Sequence, residues 1–174
     1  MGTDNTIDVE LPDGTPEVMH YDFLVLCTGF SYRNPIRNEK SLALKDRAKD
    51  LDEAYEKVKN SSSILVAGAG VVACEVAAEL AIAFGTEKKI GISIRGEKLV
   101  SMLPPRFGEV AETFFKDHNV EVHRNVTYSE LTAKELGYEF AIECLGYIYK
   151  TDFMKKNFSH CLSPKGQIFV NDLY

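Results

Sequence analysis

The sequence predicts an α/β fold, a parallel sheet with helices packed on it and antiparallel strands at its flanks. Three features point there. An apolar run at residues 64–67 ends in Gly68-Ala69-Gly70 and passes at once into a helix-forming apolar stretch. Strand-like and helix-like segments then alternate in the order β-α-β-α-β, and right-handed crossovers turn that order into a parallel sheet. Two further apolar runs, Leu24-Val25-Leu26-Cys27-Thr28-Gly29 and Ala141-Ile142-Glu143-Cys144-Leu145-Gly146, close on a glycine and bracket this block.

Each element has its own signal. Ile7, Val9 and Leu11 alternate with polar residues, Pro12-Asp13-Gly14 turns the chain, and residues 18–21 return as the second strand of a hairpin. Phe23-Leu24-Val25-Leu26-Cys27 is continuously apolar, the pattern of a strand buried on both faces. Residues 31–40 are polar, contain Pro35 and read as a crossing between domains. Asp50, with Glu53 three residues on, is expected to cap a helix whose apolar stripe is Leu51, Ala54, Tyr55 and Val58.

The helix after the glycine turn should run over residues 71–84 and stop at Gly85. Ile90, Ile92 and Ile94 alternate as the next strand, and Met102-Leu103-Pro104-Pro105 breaks the chain. A helix over 106–118 should bury Phe107, Val110, Ala111, Phe114 and Phe115 and end at Asn119. Val120 and Val122 open a third strand, and residues 138–145 form another. Residues 150–158 read as helical, Pro164-Lys165-Gly166 as a turn, and 167–170 as a last short strand.

Composition narrows the function. At 174 residues with 45% apolar content, the chain suits one domain, or one plus part of another. A net charge of −6 excludes nucleic acid as the main partner, because phosphate neutralisation needs clustered Lys and Arg. No apolar stretch approaches a membrane span, and the polar opening Met1-Gly2-Thr3-Asp4-Asn5 is unlike a signal peptide. Cys27, Cys74, Cys144 and Cys161 are far apart, and three of them sit in apolar segments expected to be strands or helix. A reducing, intracellular compartment is the simple expectation, with cytoplasm and mitochondrion both open. His20, His118, His123 and His160 are scattered, and no residue stands out as catalytic acid, base, nucleophile or metal ligand.

The glycine turn is the candidate site. Gly68 permits a sharp turn, Gly70 lets a pyrophosphate approach the main chain, and Ala73 allows close helix–strand packing. The helix starting at Val71 aims unpaired N–H groups and its positive dipole end at the same place. The alternative is a tight turn with no ligand. Glu75, expected in the first helical turn where the dipole favours a carboxylate, is either a site residue or merely favoured there. Cofactor choice stays open: Arg95 can meet the 2′-phosphate of NADPH, or be a solvated strand-end charge, while Glu97 can reach the ribose of NADH.

The chain resembles the middle of a two-dinucleotide flavoprotein, of the group holding apoptosis-inducing-factor-like oxidoreductases and type II NADH dehydrogenases. In that family an FAD-binding fold is interrupted by an inserted NAD(P)H-binding fold. Leu26-Cys27-Thr28-Gly29 resembles the first crossing between them and Cys144-Leu145-Gly146 the second. The stretch from Ile90 to Val100 with Leu103-Pro104, and the tail from Ser163 to Asn171, are similar to family segments as well. The resemblance implies a Rossmann-like NAD(P)-binding unit at 41–147, with 1–40 and 148–174 belonging to a split FAD-binding domain. It also places Thr28 and Gly29 near flavin, and Glu75 and Gly146 near the nicotinamide. NADH or NADPH is the implied cofactor, with FAD only in the complete protein.

The family's first glycine fingerprint would precede residue 1, so the chain is expected to be a central part that needs a flavin half or other subunits. Glu143 and Leu145 stand where the second crossing normally has an apolar residue and Thr. Two functions follow. One is the NAD(P)H-binding portion of an FAD-dependent oxidoreductase that passes hydride to flavin and then to a quinone-like acceptor. The other is a non-catalytic, diverged scaffold within a larger assembly.

Overall fold

The computed structural model describes residues 5–33 and 43–172. Most of the polar opening and most of the polar crossing lie outside the described residues. In chain order the elements are β1 (Thr6–Glu10), β2 (Pro16–His20), β3 (Phe30–Ser31), α1 (Leu44–Asn60) and β4 (Ser63–Ala67). Then come α2 (Val71–Phe84), β5 (Lys89–Ile94), α3 (Pro105–Asp117), β6 (Glu121–Arg124) and α4 (Glu130–Glu135). The last are β7 (Phe140–Glu143), β8 (Ile148–Tyr149) and α5 (Lys155–Phe158). They form two compact units: Met1–Ser31 with Ile148–Tyr174, and Tyr32–Tyr147.

The first unit holds the hairpin. β1 and β2 pair antiparallel, with Asp8 opposite Val18. Gly14 takes φ +84 in the turn, and the Asp13 carboxylate accepts from Thr15 N–H at 2.9 Å. β3 pairs antiparallel with β8, so the segments before and after the other unit join here. Two expected strands are absent. Residues 23–27 join no ladder, with Phe23 93% and Val25 79% exposed. An apolar run signals that burial is wanted, but a strand also needs a neighbour to bond, and none of the described residues supplies one. Cys27 is accordingly exposed rather than in a core. Residues 167–170 contribute only a bridge between Leu162 and Ile168. The segment 150–158 is a 3-10 turn, Asp152–Met154, running into α5.

The second unit is a four-stranded parallel sheet in the order β6-β5-β4-β7. Every residue of β4 is buried, because it lies between two strands with cover on both faces. One face of the sheet presents Ile64, Val66, Ile90, Ile92, Ile94 and Ile142 to a core shared with Ala73, Ala77 and Ala81 of α2 and Phe115 of α3. The alanines recur every fourth position, so one small-residue side of α2 meets the sheet. Leu65 on the other face packs with Ala133 and Tyr138.

Two expectations need correction here, and one helix is new. α1 begins at Leu44, so Asp50 is inside the helix rather than its cap, and Leu51 and Tyr55 are exposed while Val58 meets the core. On α3, Phe115 is buried whereas Val110 and Phe107 are exposed, since one turn of a helix near a sheet edge reaches the core and the rest overhangs. α4 has no counterpart in the sequence-based expectation; Ser129 caps it by accepting from Thr132 N–H at 3.0 Å.

Candidate functional site

β5 and β6 lie to one side of β4 and β7 to the other. Chain direction across the sheet therefore reverses beside β4, and open α/β sheets bind ligands at the carboxyl ends of strands at such a point. The turn 68–70 sits there. Gly68 has φ +142 and donates its N–H to the Ser93 carbonyl at 2.9 Å. A Cβ on it would come within 2.4 Å of the Cys144 carbonyl oxygen and 3.3 Å of the Ala73 Cβ. Gly68 is thus demanded by the fold itself.

Gly70 is different. Its φ of −85 and ψ of 178 suit any residue, and a Cβ there would meet nothing within 4 Å. Neither backbone nor packing asks for glycine at this position. The space a Cβ would fill lies at the N-terminus of α2, whose cap supplies no side-chain hydrogen bond and whose first turn carries no acidic residue. Helical geometry leaves the first N–H groups without intrahelical acceptors, and Val71 and Val72 beside them are exposed. Such a place accepts a phosphate.

The remaining expected residues are spread around this turn or away from it. Arg95 directly follows β5 and is exposed, as are Glu97 and Lys98. Glu75 is exposed on α2, but it is the fifth helical residue and lies past the first turn where it was expected. Gly146 follows β7 with φ +89 and is exposed. Thr28 and Gly29 belong to the other unit, where Gly29 has φ +66 and accepts from Lys150 N–H at 3.4 Å. Glu143, apart from the turn in chemistry, pairs with Arg33 at 3.4 Å.

Two thiols lie near the turn. Burial, and secondarily the Glu75 carboxylate, pushes Cys74 up to about 11. Burial, and secondarily Cys74, pushes Cys144 up to about 11. Both are therefore held as neutral thiols near pH 7. Among the described residues no cluster of His, Cys, Asp and Glu is placed to hold a metal, and no helix is long and apolar enough to cross a membrane.

One residue at the site carries no sequence signal. Val100, in the loop after β5, has φ +42 and donates its N–H to the Ala69 carbonyl at 2.7 Å. Valine is a poor candidate for that backbone, so nothing in the pattern singles it out.

The family model described as pyridine nucleotide-disulphide oxidoreductase matches residues 2–172. The chain is 27% identical to apoptosis-inducing factor homolog A of Dictyostelium discoideum, over 94% of this chain and 47% of that protein. Its fold is similar to that of a water-forming NADH oxidase from Lactobacillus brevis bound to NADH, with a TM-score of 0.64 at 22% identity over 97% of this chain and 40% of that one. An engineered water-forming NADPH oxidase derived from the latter, bound to NADPH, gives a TM-score of 0.62 at 24% identity, over 97% and 40%. The chain therefore spans about half or less of the proteins it matches.

Proposed function

The chain belongs to the pyridine nucleotide-disulphide oxidoreductase family, and we propose that residues 41–147 are its NAD(P)H-binding unit. The contrast between the two glycines carries this reading. Gly68 is accounted for by the Cys144 carbonyl pressed against it, while no contact among the described residues asks for glycine at position 70, an N-cap that Ser, Asn or Asp would fill at least as well. A ligand that must approach the main chain accounts for it.

In this reading the backbone of Ala69, Gly70 and Val71 donates to the pyrophosphate, with the dipole of α2 behind it. Arg95 lies toward the adenosine end and meets a 2′-phosphate when NADPH is bound; Glu97 meets the ribose when NADH is bound. Glu75 and Gly146 lie toward the nicotinamide. The bound nicotinamide supplies hydride; the chain's own residues bind and orient it.

Residues 1–40 and 148–174 are proposed as part of a flavin-binding domain, with Thr28 and Gly29 its flavin-contacting end. The whole protein would then be an FAD-dependent oxidoreductase with a quinone-like acceptor. FAD does not fit the described residues by themselves. Their one glycine-x-glycine turn directly joining a strand to a helix is the turn at 68–70, and no second site for a pyrophosphate is formed. The exposed apolar residues of the first unit are the surface on which the rest of that domain, from this polypeptide or another subunit, would pack. Four free cysteines suit a reducing compartment.

A second reading, a diverged scaffold, is favoured by Glu143, which ends β7 as a charged residue paired with Arg33. Calorimetric titration of the chain with NADH and NADPH separates the two. Binding at about millimolar affinity or tighter, roughly −4 kcal/mol, supports the cofactor unit, and no heat at that concentration supports the scaffold.

A further inference from the structure

The loop between β5 and α3 presses a strained residue against the glycine turn. At φ +42, Val100 occupies a left-handed backbone that a β-branched side chain resists. It is held there from several sides. The side chains of Leu99 and Val100 are buried in the main core. The Val100 N–H donates to the Ala69 carbonyl at 2.7 Å, and its own carbonyl accepts from Leu103 N–H at 2.8 Å. The Leu99 carbonyl lies 3.0 Å from where a Cβ on Gly108 of α3 would be. Strain of this kind persists only where the surroundings over-determine it.

We propose that Val100 is a positioning residue for the phosphate-binding turn, its N–H fixing the Ala69 carbonyl and so aiming the N–H of Gly70. The link is peptide geometry. The bond between Ala69 and Gly70 is planar and trans, so its carbonyl and N–H point in opposite directions. Tying the carbonyl to Val100 turns the Gly70 N–H away from the loop, and among the described residues that N–H donates to no protein acceptor. A peptide held in one orientation before ligand arrives loses less freedom on binding. Val100 thereby does its work without touching the ligand. The proposal rests on the dinucleotide reading above.

The test uses ADP-ribose, which carries the pyrophosphate and adenosine but no hydride chemistry, with the full chain and two variants. Gly108→Ala forces the Leu99 carbonyl to give way by a few tenths of an ångström, since 3.0 Å is tighter than ordinary contact, while helix propensity favours the alanine. The expected results are a shifted Gly70 amide resonance, a weaker through-hydrogen-bond coupling between Val100 N–H and Ala69 carbonyl, and ADP-ribose affinity lower by about tenfold, the value of one charge-assisted hydrogen bond. Val100→Gly accepts φ +42 and keeps the N–H but removes the buried side chain that holds it, so it should weaken the coupling and lower ADP-ribose affinity in the same direction as Gly108→Ala. An unmoved Gly70 amide in Gly108→Ala overturns the clamp. A moved amide with unchanged affinity overturns its role in binding. If the wild-type chain keeps the coupling but binds no ADP-ribose, the dinucleotide reading fails, and Val100 is left as a feature of the fold alone.

Discussion

Residues 64–67 and residues 23–27 are both apolar runs followed closely by a glycine, and they end in opposite conditions. Ile64, Leu65, Val66 and Ala67 have no exposed surface, because β4 has a strand on each side and cover on each face. Phe23 and Val25 stand largely exposed, with no strand beside them among the described residues. The same holds across the two units. Both buried clusters of apolar residues lie within Tyr32–Tyr147, around its parallel sheet, and among the described residues the other unit contributes none to them while leaving Phe169 and Val170 in solvent as well. A run of apolar residues thus states a demand for burial, and the chain around it decides whether the demand is met.

The largest predicted effect tests how tightly the closed unit is built. Gly68→Val places a Cβ where the Cys144 carbonyl already is, on a backbone of φ +142. It should cost more than about 3 kcal/mol or abolish cooperative unfolding in urea. Gly70→Val, two residues on, meets open space. It should cost about 1 kcal/mol or less, the difference between glycine and valine at an N-cap, yet lower NADH affinity by at least about tenfold. Equal stability losses at the two positions would erase the distinction on which the binding site rests.

The parallel-sheet unit was largely legible in the sequence, and the reason is local. The glycine turn, the alternation of Ile90, Ile92 and Ile94, and Gly85 at φ +54 each act through their own neighbours in the chain. What was not legible depended on distant partners. The run at 23–27 looked like a strand because its composition asks for one, but pairing is set by other segments. Asp50 looked like a cap because its neighbours fit the pattern, while the helix had already begun at Leu44. At the candidate site the glycines and the roles expected of them were visible, but their surroundings were not: the Cys144 carbonyl, 76 residues from Gly68 by numbering, presses against one, and a Cβ on the other would meet open space. Val100 was invisible because strain is a property of the fold.

A smaller effect sharpens the picture of the second face of the closed sheet. His123 and Glu121 of β6 meet Tyr138 there: the imidazole Nε2 lies 2.8 Å from the Tyr138 hydroxyl, which donates to Glu121 at 3.1 Å. The tyrosine has one proton and gives it to the carboxylate, so the neutral imidazole carries its proton on Nε2 and donates to the tyrosine oxygen. Burial holds His123 below the ordinary histidine value; Glu121 at 3.4 Å opposes this, and Lys89 adds to it. The unfolded chain therefore takes up a proton at a higher pH than the folded one. Stability should be full above about pH 6.5 and fall as pH drops below it. His123→Gln should flatten that part of the profile. A rise in stability on acidification would mean that Glu121 dominates and the imidazole is charged in the fold.

The smallest effect belongs to the open unit and is the sharpest test of the comparison. Phe23→Ser and Val25→Ser remove apolar side chains that the described residues leave in water, 93% and 79% exposed. Each should change the unfolding free energy of the 174-residue chain by no more than about 0.5 kcal/mol, as surface substitutions do. Together they should reduce binding of a dye that reports exposed apolar surface. In a polypeptide that carries the rest of the flavin half, the same Phe23 substitution should instead cost about 3–5 kcal/mol, as truncation of a buried aromatic does. A large loss in the short chain would show that residues 23–27 are already buried there. Equal, negligible losses in both would show that the run is never covered and that the proposed flavin half does not pack on it.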